Sequence, residues 1–473
     1  MTENTSNKHP EKISKKNKGG HNRPSPEEIG EIRRQRQEKK KLREKLIAEG
    51  RDVDDPSGKP LYIKREMLEV SHEKFLSIEK GLRLRFMTYN LLAQTLIRRS
   101  MFPDNGPILK WTNRSKPLFQ EVKNYNCDIM CMQEMDYTNY DNFWKPKLSD
   151  LGYHSRFNRS GTKSHGVAIF YRDSLFTFID ICRIDYDSER TGAISPRTIT
   201  QNVGLIVGLS LKSDPDKVIL FGTTHLFWHP FGTYERTRQT YIALAKCREF
   251  QNRIRILHPK VNKIWKFFAG DFNSQPYDSP YLSITSKPVQ YNSRCKTVIS
   301  CSTSFQFSSL RGGGVAHEEE KGGNVEKYGE NQPKDPVPDT FIPTADQLEL
   351  VEEMQKLHNS LPVRAISMYS VGYKLVDPVN AGIDNDRNEP FFSNWAHTWR
   401  GLLDYIFLVK EWNGNDNCKD IDQLEQFETD NDLVLEKLLK MPHPKDMDKG
   451  LPRQHQYPSD HLCMIAQISL KLL

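Results

Sequence analysis

Apolar residues in this chain gather in short runs divided by polar turns. After the DDPSGKP turn around residues 54–60, the run RLRFMTYNLLA near residues 83–93 alternates and is apolar enough for a buried strand that opens the core. Runs of the same kind recur in order: DIMCMQEM, HGVAIFYR, NVGLIVGLSL, KVILFGTTHL, KIWKFFAGDF, LLDYIFLV and HLCMIAQISL. Between them lie stretches with helical spacing. The strongest covers residues 233–256, where Tyr241, Leu244, Ala245, Phe250 and Ile254 can form one packed stripe. TADQLELVEEMQKLHNS has the same character and should be ordered. Many strands mixed with helices predict an α/β (α+β) sandwich.

Three regions do not fit a core. Residues 1–60 read as a basic appended tail, solvated and at most helical over 27–48, so the folded domain is expected to span 61–473. Residues 311–340 are rich in Gly, Glu and Pro and read as a disordered surface insertion. A second polar excursion covers roughly 411–450.

Charge sharpens this division. The net charge is +7, yet residues 1–50 alone hold 14 basic and 8 acidic side chains. The excess therefore belongs to the tail, which can attract a polyanion through counterion release or serve as a nuclear import signal. Eight cysteines without a CxxC pair indicate reduced thiols, and Cys127 and Cys131, flanking a strand-like run, read as packing thiols rather than zinc ligands. No apolar stretch is long enough for a membrane span, and the acidic residues of the N-terminus argue against mitochondrial import. The expected setting is cytoplasmic or nuclear, the nucleolus included.

The candidate chemistry sits at the C-terminal edges of the strands. MTYNLLAQ carries Asn90, MQEMD carries Glu134, TTHLFWHP carries His225, and AGDFNSQPYDSP carries Asp271 and Asn273. LLDYIF adds Asp404, and YPSDH adds Asp460 and His461. Singly, such residues serve as turns, caps or structural histidines. Glu134 is harder to explain that way, because a carboxylate in an apolar run must find a cation, a proton or several donors. Carboxylates and amide oxygens without matching cysteines favour Mg²⁺, with Mn²⁺ able to substitute. Two histidines added to such a site supply an activator for water and a stabiliser for phosphate charge. Metal-assisted phosphoester hydrolysis is the reaction class indicated.

Taken in order, MTYNLLAQ, MQEMD, HGVAIFYR, THLFWHP, GDFNSQP, LDYIFL and PSDH resemble the exonuclease–endonuclease–phosphatase superfamily, which includes DNase I-type nucleases. The nearest branch is the deadenylase-like proteins related to nocturnin, Angel and the carbon-catabolite-repression deadenylases, in particular the yeast Ngl group of RNA exonucleases. The resemblance spans residues about 80–472 and implies a DNase I-like four-layer fold, with two packed mixed β-sheets flanked by helices. It places Mg²⁺ on Glu134 with Asn90 alongside and Asp460 completing the network. Asp271 and Asn273 would engage the attacking water and the scissile phosphate or a second metal. His461, oriented by Asp404, would contact the phosphate, and His225 would stabilise its charge. In the deadenylase branch a proline and an aromatic residue sandwich an adenine; counting from the motifs gives Pro230 and Trp399. Asn202 and His165 are added as substrate contacts, His165 standing where many deadenylases have an Asp.

The resemblance implies a monomeric Mg²⁺-dependent 3′-to-5′ exonuclease acting on single-stranded RNA ends, such as ribosomal RNA precursors or poly(A), and releasing nucleoside 5′-monophosphates. The family's leucine-rich repeats have no counterpart, so scaffold docking through them is not expected. A nocturnin-like nucleotide 2′-phosphatase and a silent RNA-binding module are the rival readings.

Overall fold

The computed structural model describes residues 26–49, 51, 59–70, 81–192, 194–304, 340–414, 416–448 and 450–472. The expected insertion at 311–340, save Thr340, lies outside the described residues. The chain divides into two compact units, Met1–Pro60 and Leu61–Leu473. In the first, Pro26–Ala48 is a helix whose described side chains are almost all exposed.

The second unit is built on two large sheets. One has seven strands in the order β1 (Met67–Glu69), β14 (Leu433–Leu439), β15 (Met464–Lys471), β2 (Gly81–Asn90), β3 (Ile129–Asp136), β5 (His165–Arg172) and β4 (Tyr153–Asn158). The other has six: β10 (Val363–Ser367), β13 (Asp404–Glu411), β9 (Lys263–Asp271), β8 (Asp214–His225), β7 (Val203–Leu211) and β6 (Phe176–Asp185). Each contains one parallel pair, β2 with β3 and β8 with β9, among antiparallel neighbours. A small hairpin, β11 (Asn394–Ala396) and β12 (Trp399–Gly401), stands apart. Among the described residues, no helix is long and apolar enough to cross a membrane.

The sheets meet face to face through aromatic rings. Phe86 on β2 lies 4.8 Å from both Phe221 on β8 and Phe267 on β9. Such pairs contribute about 0.5–1.5 kcal/mol each beyond the area they bury. The outer face of the first sheet packs Met87, Tyr89, Met130 and Met132 against the helix Trp111–Tyr125 through Leu118 and Val122. Strand alternation divides the two sets: Leu84 and Phe86 face the partner sheet, Met87 and Tyr89 the helix. All eight cysteines are free, with Cys127 and Cys131 buried as packing residues.

Two elements depart from the sequence reading. The polar excursion at 411–450 contains a helix, Leu424–Asp430, and the buried strand β14, which pairs with β1 on one side and β15 on the other in the first sheet. The run LVLEKLL hides this role because Glu436 sits inside it; its carboxylate pairs with Arg83 Nε at 2.8 Å and accepts from Gln467 Nε2 at 2.6 Å and from Ser469 Oγ, which together satisfy the charge. The helix Thr233–Leu257 is also not a simple one-sided stripe. Its first eight residues, Thr233–Thr240, are all buried, and Arg238 is held there by Glu235 at 2.8 Å. At the other end Ile256 and Leu257 are exposed.

Candidate active site

Asn90, His225 and Asp271 each lie four residues beyond one ring of the inter-sheet trio: Phe86, Phe221 and Phe267. The period of a strand is two, so all three side chains face the same inter-sheet space as the rings. The edge of the core thus becomes polar at one end. His225 pairs with Asp271 across the parallel β8–β9 ladder, and Asp271 pairs with Asp404 across β9–β13. Gly270 permits the first pairing, because a Cβ there would sit 2.2 Å from the Thr224 carbonyl oxygen.

Glu134 reaches this space by an irregularity. Simple alternation would place it with Met130 and Met132 on the helix-facing side. The β3–β5 register shifts between Met132 and Met135, and Glu134 takes φ 50°. This bulge turns its carboxylate inward, at a backbone cost of about 1–3 kcal/mol for a non-glycine residue. Leu92 at φ 55° and Asn273 at φ 47° bound the same space.

The side chains form one connected network. Asn90 Nδ2 donates to Glu134 Oε1 at 3.1 Å and to Asp271 Oδ2 at 2.9 Å, bridging the two sheets. The Ala93 amide donates to Glu134 Oε2 at 2.9 Å. Asp271 Oδ2 lies 3.6 Å from Nε2 of both His225 and His461, while His225 Nε2 is 3.9 Å from Glu134. His461 Nδ1 is 2.8 Å from Asp404 Oδ2, which also accepts from Ser393 Oγ at 2.6 Å. Burial opposes the His461 proton, but Asp404 and Asp271 outweigh it and raise the imidazole well above its ordinary value. Burial likewise raises the Asp404 carboxyl, with His461 opposing the shift. Asp460, beside His461, is pushed up to about 6, first by burial and further by the Glu134 charge, against His461 and Arg114.

The remaining sequence-derived positions surround this cluster. Asn273 Nδ2 donates to the Leu226 carbonyl at 3.0 Å, tying the exits of β8 and β9 together. Asn202 Nδ2 donates to the His225 carbonyl at 2.9 Å, so this buried amide braces the histidine from behind. His165 is buried opposite Asp136 in the β3–β5 ladder, and burial, aided by Lys163 and His225, keeps its imidazole well below the ordinary value. Pro230 is exposed in the loop after His225. Trp399 is 47% exposed, and its indole folds over Gly401, where a Cβ would lie 2.7 Å from Trp399 Cη2 and 3.1 Å from Gln275 Oε1. It also borders a cavity of about 610 Å³, lined in part by Trp395, Arg400 and Arg453.

Sequence reasoning missed two supports. Ser393 precedes the β11 hairpin and holds Asp404, with no motif to mark it. Arg114 was legible: it shares one helical stripe with Leu118, Glu121, Val122 and Tyr125, all buried, where a cation needs an explanation.

The donor set fits a divalent cation. Four carboxylates, Glu134, Asp271, Asp404 and Asp460, share this edge of the fold, and Asp404 Oδ1 is buried without a hydrogen-bond partner. Burial first, and then the Glu134 charge, raise Asp460, and an oxygen-seeking ion bound among these carboxylates would offset both. Asp271, Asp404 and His461 bring ligand atoms within 4.8 Å of one another. Within that trio, however, the 2.8 Å contact engages His461 Nδ1 with Asp404, leaving the Glu134 side richer in oxygen donors.

A family model described as Endonuclease/Exonuclease/phosphatase family matches residues 87–461, from within β2 to His461. The chain belongs to this family. Among its relatives in the family, RNA exonuclease NGL2 of Saccharomyces cerevisiae is 49% identical over 96% of this chain and 91% of that protein. Probable RNA exonuclease NGL3 of the same yeast is 37% identical over 94% and 90%. The crystal structure of ANGEL2, described as a 2′,3′-cyclic phosphatase, in complex with adenosine-2′,3′-vanadate, superposes with a TM-score of 0.54 at 19% identity, covering 87% of this chain and 99% of that one. That likeness concerns the fold: two mixed sheets flanked by helices, as the motifs implied.

Proposed function

We propose that this family member is a Mg²⁺-dependent 3′-to-5′ exoribonuclease that trims single-stranded RNA ends and releases nucleoside 5′-monophosphates. Relatives named as RNA exonucleases, matching over nearly the whole chain, support the substrate class. The observation that carries the chemistry is the convergence of Asp271 with two histidines, each 3.6 Å from one carboxylate oxygen, beside Glu134 and Asn90.

In this reading, Asp271 orients and deprotonates the attacking water, and Asn90 keeps that carboxylate aligned. His461, charged through Asp404, donates from Nε2 to a non-bridging phosphate oxygen, and His225 donates from the opposite side. Glu134, Asn90 and Asp460 would hold Mg²⁺, whose chemistry is to neutralise charge on the phosphate and the departing 3′-oxygen. Trp399 would stack a base without selecting among bases, since every base offers a π-face. Ribosomal RNA precursors and poly(A) tails are the substrates this predicts from the branch.

The test uses one RNA labelled at either end, with and without Mg²⁺. Shortening of 5′-labelled RNA with immediate mononucleotide release from 3′-labelled RNA, both abolished by chelation, is the expected result. Metal-independent cleavage, internal cuts or no shortening would overturn the proposal.

A further inference from the structure

We propose that Arg114 is a positioning residue for the candidate active site, a buried fork that sets the spacing between its Asn90–Glu134 side and its Asp460–His461 side. The kinetic part of this inference rests on the exonuclease reading above; the geometric part does not.

Arg114 is 0% exposed, on the helix Trp111–Tyr125 behind the site. Its Nη1 donates to the Leu91 carbonyl at 2.6 Å and the Pro458 carbonyl at 3.2 Å. Its Nη2 donates to the Leu92 carbonyl at 2.5 Å and more weakly to Gln94 Oε1 at 3.5 Å. Leu91 and Leu92 directly follow Asn90, whereas Pro458 lies two residues before Asp460 and three before His461. One guanidinium therefore joins two segments separated by more than three hundred residues, each carrying half of the site. A second tie crosses the same seam, from Ser459 Oγ to the Asn90 carbonyl at 2.7 Å.

The cost of this arrangement argues for a purpose. A cation removed from water needs compensation, and a leucine on this stripe would pack against Leu118 without that cost. Among the described residues no carboxylate lies within 4 Å of Arg114, so backbone carbonyls are its direct partners. Asp460, Asp136 and Glu134 act on it from farther away. The charge is thus placed to face the carboxylate cluster as a fixed counter-charge, without occupying any ligand oxygen. Leu92 adds a local reason: its left-handed backbone, unusual for leucine, presents the carbonyl that Nη2 holds. Lysine could supply the charge but not the planar fork that reaches three carbonyls at once.

A second buried arginine provides the control. Arg236 Nη1 donates to the Phe227 and His229 carbonyls at 2.9 and 2.6 Å, so it braces the loop that carries Pro230 instead of the carboxylate side. The experiment titrates Mn²⁺ alone into the full chain and its Arg114→Lys and Arg236→Lys variants by the free ion's paramagnetic resonance signal. It then measures kcat and KM on single-stranded RNA, and thermal unfolding. For Arg114→Lys, Mn²⁺ binding should weaken about 10-fold and kcat fall about 10–100-fold at nearly constant KM, the range for residues that orient metal ligands. Arg236→Lys should leave Mn²⁺ binding unchanged and act on KM. Mn²⁺ binding equal to wild type in a folded Arg114→Lys variant would overturn the inference, whatever its melting temperature. If that variant does not fold, Arg114→Met, which replaces the buried cation by an apolar side chain of similar length, carries the test: weakened Mn²⁺ binding supports the inference and an unchanged titration overturns it. Wild-type protein that binds Mn²⁺ but never shortens RNA would sink the exonuclease reading while leaving the Mn²⁺ comparison intact.

Discussion

Asp404→Asn isolates the histidine–carboxylate pair from the rest of the site. Asp404 accepts from His461 at 2.8 Å and from Ser393 Oγ at 2.6 Å, and it is buried at the start of β13. The amide keeps the shape and can still accept one hydrogen bond, but it removes the charge that favours the His461 imidazolium. Hydrogen bonds to charged groups contribute about 1.5–3 kcal/mol, and if that difference is expressed at the transition state, kcat falls about 10–150-fold. Burial disfavours the ionised carboxylate, but the raised His461 imidazole draws folding stability from this pair, so the melting temperature should fall as well and is measured separately from the chemistry. Single-turnover rates on a short RNA at saturating Mg²⁺, with KM and thermal unfolding measured in parallel, separate these effects. A folded variant with kcat within about twofold of wild type would refute the reasoning, since the interaction assigned to the transition state would then contribute well under 1 kcal/mol.

Three further outcomes are expected. Glu134→Gln should abolish Mg²⁺-dependent turnover while leaving RNA binding in a filter assay nearly intact; equal losses of both would move Glu134 out of the metal site. Trp399→Ala should raise KM about 5–150-fold with little change in kcat, as expected for removing one stacked base worth about 1–3 kcal/mol. Burial raises the Glu389 carboxyl to about 7, and this carboxyl accepts from the Tyr281 hydroxyl at 2.9 Å. The folded protein keeps that proton between pH of about 4.5 and 7 while the unfolded chain releases it, so stability is lost as pH rises through this window, by about 3 kcal/mol at most. Melts at pH 5 and 8 should therefore converge in Glu389→Gln relative to wild type, and an unchanged difference would contradict this assignment.

Much of the site was legible because it obeys strand arithmetic. Polar residues at the ends of apolar runs, four positions past a core phenylalanine, had only one face to occupy, and the motif order supplied the family. What escaped has physical causes. The Glu134 bulge is a backbone irregularity that no alternation rule marks, although the carboxylate itself was conspicuous. β14 was lost in a polar stretch because Glu436 interrupts its apolar run and finds its partners only on other strands, Gln467 on β15 and Arg83 on β2. The buried first turns of the helix Thr233–Leu257 look exposed in sequence because Glu235 and Arg238 cancel each other inside the fold. Ser393 depends wholly on tertiary contact: its hydroxyl finds Asp404 eleven residues away through the β11–β12 hairpin.

The most direct test of the central claim is the fate of solvent oxygen. Digestion in ¹⁸O-labelled water with Mg²⁺ should place one heavy oxygen on the phosphate of each released nucleoside 5′-monophosphate, because water attacks phosphorus and the upstream 3′-oxygen departs. Unlabelled mononucleotides, 3′-phosphate ends or cyclic phosphates would contradict the account.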